Sequence, residues 1–122
     1  MNVSKNIFIN GIAELLVLTL LEQKDCYVYE IVKQINDLSN GLLSISQNTI
    51  YTATYKLEGD GKISEYSKLV GKKRMRVYYH IEKSGQDYLN SIKKNYFDTT
   101  NGVQNIFKSF NITKDICDNE QN

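Results

Sequence analysis

Between Ile12 and Glu22 only Glu14 and Thr19 interrupt an otherwise apolar run, and neither glycine nor proline breaks it. This predicts a helix over residues 5–23, with Ser4 as a suitable N-cap. Such a helix is apolar on nearly every face and must be buried on more than one side. A chain of 122 residues builds one modest core, which covers one stripe of a helix. A second burial surface, such as a dimer partner, would account for it. The same length excludes a two-domain enzyme with a cleft between halves. The longest pure apolar run, Leu15 to Leu18, falls far short of the ~20 residues of a membrane span, so no membrane partner is expected. Met1 to Lys5 has no secretory pattern. Cys26 and Cys117 lack metal-knuckle or disulfide-framework spacing. A reducing, cytoplasmic setting is the default expectation.

The formal charge of +1 hides an asymmetry. Residues 1–61 carry net −3 and residues 77–122 net −1, whereas residues 62–76 carry +5 from Lys62, Lys68, Lys72, Lys73, Arg74 and Arg76 against Glu65. A basic cluster on a near-neutral body is the footprint of phosphate binding. A lysine-rich solvated loop is the alternative.

A second helix is expected from Tyr27 to Leu38, with Ile31, Ile35 and Leu38 inward and Asn40 or Gly41 as its left-handed stop. After an extended connector, Leu42 to Ile45, Ser46 should cap a third helix from Gln47 to about Glu58. Its inner stripe is Ile50, Ala53, Thr54 and Leu57. Its outer face is Gln47, Asn48, Tyr51, Thr52, Tyr55 and Lys56. Gly59 to Gly61 ends it. A hairpin follows: Ile63–Leu69, a turn from Val70 to Lys73, and a return strand Arg76–Ile81 with Val77, Tyr79 and Ile81 on one face. A last helix begins near Lys83. Its residues Leu89, Ile92, Tyr96, Thr99, Val103, Ile106 and Phe110 alternate three and four apart, a heptad seam with one polar member. The fold class is thus mainly α with a small β-hairpin: a winged helix-turn-helix with a long C-terminal dimerisation helix. Residues 1–82 form the winged domain, 83–110 the dimerisation helix and 111–122 a polar, frayed tail.

In this plan the third helix enters the major groove and the hairpin cations reach neighbouring phosphates of double-stranded DNA. Gln47 and Asn48 suit base edges. Thr49, Tyr51, Thr52 and Tyr55 can donate to phosphates, and Lys56 adds charge. Tyr51 and Tyr55 have partial core packing as their alternative. Lys72, Lys73, Arg74 and Arg76 supply the wing. Glu58 and Asp60 should point away from the duplex.

Several strings in this order resemble the PadR family of transcriptional regulators, in its short subfamily with one C-terminal helix. They are Tyr29-Glu30-Ile31, Leu42 through Tyr51, Leu57 through Ile63, Arg76 through Ile81, and Gly85. Tyr27-Val28-Tyr29 and Thr52 after Tyr51 are similar to the multidrug-sensing branch. Thr52 stands where many members have proline. Val77 replaces a basic residue, Glu82 a capping threonine, and Tyr96 the usual tryptophan.

The resemblance implies a two-fold homodimer whose last helix packs on the partner's first helix, with Leu18 joining Leu89, Ile92, Tyr96, Val103, Ile106 and Phe110 at the interface. It also implies a repressor on a palindromic operator. A small aromatic or cationic effector would lie between protomers on Tyr96, near Ile12, Glu14, Leu15, Leu89, Ile92 and Lys93. Packing of the dimer seam is the competing role for Tyr96, and a solvent-facing carboxylate the competing role for Glu14. No cofactor, metal or catalytic group is expected. His80 lacks triad-like neighbours and reads as an ordinary solvent- or DNA-facing residue, the glycines sit at turns, and Cys26 reads as packed. A non-specific nucleic-acid module and a protein-interaction module remain the alternatives.

Overall fold

The structure is a computed structural model that describes residues 3–113, with side chains from residue 11 onward. Its order is α1 (Val3–Gln23), α2 (Val28–Leu38), α3 (Gln47–Gly59), β1 (Ile63–Val70), β2 (Arg74–Ile81) and α4 (Lys83–Ser109). The mainly helical winged fold expected from the sequence is present. α1 starts at Val3, so Ser4 lies inside the helix rather than capping it. Tyr27 occupies the N-cap of α2 without a side-chain capping bond.

The chain divides into two compact units, one ending at Asn90 and the other starting at Ser91. The division falls within α4, because the first two turns of that helix belong to the core of the first unit. There Leu89 is fully buried. Gly85 sits so close to the Lys62 backbone that a Cβ would fall on the Lys62 carbonyl oxygen and 3.0 Å from Ile81 Cγ1. Only glycine permits that approach.

The core of this unit takes Val17, Leu18 and Leu21 from α1, Ile31 and Ile35 from α2, Ile50, Ala53 and Leu57 from α3, and Ile63, Tyr79 and Ile81 from the hairpin. Each large aliphatic side chain buried here is worth about 1.5–3 kcal/mol of transfer free energy. The inner stripe of α3 is the one its periodicity predicts. Leu38 is an exception on α2: at 71% exposed it lies outside the core, because the helix ends there. The stop uses both expected residues, with Asn40 at φ 56° and Gly41 at φ 79°.

β1 and β2 pair antiparallel with Ile63 opposite Ile81 and Val70 opposite Arg74. Both strands run farther toward the turn than the sequence suggests, leaving a three-residue connection, Gly71 to Lys73, with Gly71 at φ 68°. Val77 shares a face with Tyr79 and Ile81 but is 41% exposed, since it lies too far along the hairpin to reach the core. Cys26 adds one more rung, exchanging backbone hydrogen bonds with Tyr79 at 3.3 and 2.8 Å.

In the second unit, Tyr96, Val103, Ile106 and Phe110 are exposed on the described chain, and Phe97 and Phe107 are exposed beside them. The helix does not fray at once. Asn111, at φ 59°, closes it, with Ile112 N–H donating to the Phe107 carbonyl at 2.9 Å and Asn111 N–H to Lys108 at 3.1 Å. The rest of the expected tail, and Cys117 with it, lies outside the described residues.

Candidate nucleic-acid interface

Ser46 opens α3 in extended conformation, and its hydroxyl accepts from the Thr49 N–H at 3.2 Å. This cap orients the first turn, where Gln47 and Asn48 are exposed. Thr49 is half-buried and its hydroxyl lies 3.1 Å from Ser46 Oγ, so it belongs to the cap rather than standing open to a phosphate. Thr52 is exposed while its hydroxyl donates to the Asn48 carbonyl at 3.0 Å. Its oxygen keeps acceptor capacity only. Tyr51 is 51% and Tyr55 81% exposed, so neither is a core residue. Beneath them Thr54 is fully buried and donates to the Tyr51 carbonyl at 3.0 Å.

Lys56 is exposed but committed. Its Nζ lies 3.1 Å from Glu14 Oε2, and Tyr88 donates to Glu14 Oε1 at 2.8 Å. Glu14 therefore neither faces solvent nor offers an unpaired charge to a cationic effector. It joins α1, α3 and the start of α4. The carboxylate beside Lys56 holds the ammonium above its ordinary 10.5 and, by accepting from Tyr88, raises that phenol as well.

The two faces of the hairpin differ. One face carries Lys68 opposite Arg76 and Tyr66 opposite Tyr78. Here Arg76 lies over the Tyr27 ring at 4.0 Å and Lys68 over Tyr78 at 5.5 Å. Arg76 is thus half-buried on an aromatic ring rather than fully presented to solvent. Lys72, Lys73 and Arg74, at and beside the turn, are exposed. The other face turns toward α3. With Tyr51, Thr52, Thr54 and Tyr55 it walls a groove of about 420 Å³ whose remaining lining is Glu58, Glu65 and Tyr79. Burial, and then the neighbouring Glu65, raise the Glu58 carboxyl above its ordinary 4.5. Glu58 thus turns toward the wing rather than simply away from the site, and the groove is unfavourable to phosphate at that end. Asp60 is exposed at the C-cap of α3.

Two expected interface residues are core residues instead. Leu18 and Leu89 have no exposed surface in the single chain, so neither can meet a partner or an effector directly. Ile12, Leu15, Ile92 and Lys93 are half-buried. Cys26 is buried with its thiol pushed up to about 11 by burial, which suits a packed, unreactive group.

The sequence reading missed Lys68 as a site residue, although a short turn at Gly71 places it opposite Arg76 and on the same face. It also missed Asp25, which lies 2.9 Å from His80 Nδ1. His80 is exposed but held, not an isolated solvent-facing ring.

The chain matches the Transcriptional regulator PadR-like family over residues 17–91. It belongs to that family. A transcriptional regulator from Clostridium thermocellum is 32% identical and superposes with a TM-score of 0.72, covering 88% of this chain and 97% of its own. A PadR family transcription regulator from Clostridium difficile is also 32% identical, with a TM-score of 0.65 over 80% of this chain and 98% of its own. Bacillus subtilis PadR, solved in complex with operator DNA, shares the fold at 23% identity and a TM-score of 0.60, over 64% of this chain and 44% of its own. The PadR-like match spans α2, α3 and the whole hairpin, the elements that carry the exposed polar row and the cationic turn. Among the described residues no helix is long and apolar enough to cross a membrane.

Proposed function

We propose that this PadR-like regulator is a homodimeric repressor that binds a palindromic operator with α3 in the major groove and the wing on the flanking backbone. The observation that carries this is the split of α3: Ile50, Ala53, Thr54 and Leu57 are buried, while Gln47, Asn48, Tyr51, Thr52 and Tyr55 form an exposed polar and aromatic row. A helix that only packed would not need a tyrosine-rich outer face beside a cationic turn. Gln47 and Asn48 read base edges, and Tyr51 and Tyr55 donate to phosphates. Lys72, Lys73 and Arg74 supply most of the wing's charge, with Arg76 a lesser contributor because of its seat on Tyr27. Glu58 and Glu65 disfavour phosphate beyond Tyr55, at the C-terminal end of α3.

The exposed row Tyr96, Val103, Ile106 and Phe110, with Ile92, supports pairing of the last helices with a second copy. An aromatic or cationic effector stacked on Tyr96 between protomers would release the operator by favouring a second dimer geometry. Tyr51→Ala tests specific readout. It should weaken binding to the regulator's own operator by about tenfold or more, and binding to random duplex far less. An equal loss on both would leave only non-specific binding.

A further inference from the structure

Asp25, half-buried in the turn between α1 and α2, holds both strands of the wing. Its Oδ2 accepts from the Tyr66 hydroxyl at 2.7 Å, and its Oδ1 lies 2.9 Å from His80 Nδ1. Tyr66 is on β1 and His80 on β2, and they are not cross-strand partners: Tyr66 faces Tyr78 and His80 faces Ser64. One carboxylate therefore spans two rungs of the ladder. The next two residues grip the hairpin in other ways. Cys26 pairs with the Tyr79 backbone. The Tyr27 ring carries the Arg76 guanidinium at 4.0 Å and meets Tyr78 edge-on at 5.4 Å, and Tyr78 stacks on Tyr66 at 5.7 Å.

This root controls a long lever. At ~3.3 Å per residue, the six steps from Tyr66 to Lys72 put the cationic turn up to about 20 Å along the hairpin from Tyr66, which Asp25 holds. A tilt of ~10° at the root would move the turn by about 3.5 Å, enough to break a hydrogen bond to a phosphate. We propose that Asp25 is a positioning residue for DNA binding, fixing the angle of the wing to the helical body through Tyr66 and His80. This rests on the function proposed above.

The latch has a pH signature. The hydrogen bond to Asp25 raises His80 above its ordinary 6.5, with a smaller opposing effect of burial and further support from the charges of Asp25 and Glu82. At Asp25 burial pushes upward, but the bonds from Tyr66 and His80 outweigh it, and the carboxyl ends below its ordinary 3.8. The contribution of His80 is therefore complete below 6.5 and is lost as pH rises through its raised value. That of Asp25 is present above 3.8 and is lost as pH falls through its lowered value. Other groups face the latch from the elements packed around it. Tyr66 is pushed up to about 12 and Cys26 to about 11, and Lys24 pairs with Glu30 at 2.8 Å. Glu82 accepts from Ser64 at 2.6 Å.

His80 is the chain's single histidine, so its imidazole resonances titrate without overlap. The test uses the full chain, its Asp25→Asn, His80→Gln and Tyr66→Phe variants, and a labelled random-sequence duplex of about 30 base pairs. In the parent chain His80 should titrate above 6.5, and in D25N it should return toward that value. Parent affinity for the duplex should fall about two- to fivefold from about pH 6 to pH 8. D25N and H80Q should bind more weakly at the lower pH and show a flatter profile. Y66F should bind more weakly with the pH dependence retained. An unshifted His80 in the parent chain would overturn the latch. A shifted His80 with parental affinity and profile in H80Q, the exposed substitution least able to unfold the chain, would overturn the positioning role. Absence of any duplex binding by the parent would instead overturn the DNA-binding reading and the positioning role with it, while the His80 titration would still report the latch.

Discussion

Asp25 and Glu14 are each held by groups far away in the sequence. Asp25 meets Tyr66 and His80, and Glu14 meets Lys56 and Tyr88. Local pattern could not reveal either, because the partners converge only once three or more elements have packed. Glycine at residue 85 is a different case, since its presence in a family-like string was legible but its reason was not. The reason is the Lys62 carbonyl directly above it. Gly85→Ala should cost about 2 kcal/mol or more, because backbone cannot move aside as a flexible side chain can. Thermal denaturation checks this, and an unchanged melting temperature would contradict the close approach.

At the scale of elements, α3 and the hairpin were the most legible. The Ser46 cap, the inner stripe and the outer row of α3 follow from helical period and capping chemistry alone. The hairpin was legible in position but not in facing. Alternation told which residues share a face, yet not that one face would spend Arg76 on Tyr27 while the turn kept Lys72, Lys73 and Arg74 exposed. That division makes a prediction. Replacing both Lys72 and Lys73 with alanine should weaken binding to all duplexes alike and lower the slope of log affinity against log salt by ~1 per lost contact. Arg76→Ala should change the slope less and loosen the root of the wing instead. Equal slope changes for a single turn lysine and for Arg76 would place Arg76 on phosphate after all.

For the whole molecule, the nearly all-apolar α1 demanded more burial than one stripe, and the chain meets part of that demand internally. Leu18 of α1 and Leu89, the first residue of the heptad row in α4, are buried within the single chain, so the proposed seam starts at Ile92. Periodicity cannot distinguish a residue that packs at home from one that packs on a partner, because both lie on the apolar face. Tyr96, Val103, Ile106 and Phe110 are exposed on the single chain, and they are where the proposed second copy would pack. Val103→Asp with Ile106→Asp in the full chain should convert a dimer to a monomer by sedimentation, while the melting of the winged unit stays near the parent value. A dimer that survives both charges would contradict this seam.

The most direct test of the central claim is competition binding. The purified chain is titrated with its own upstream DNA against a scrambled competitor, at a low and a near-physiological salt concentration. Tight binding that the scrambled duplex does not displace is the expected result, weakening with salt but retaining its preference. Equal, salt-sensitive binding to both duplexes would contradict sequence-specific regulation from that site.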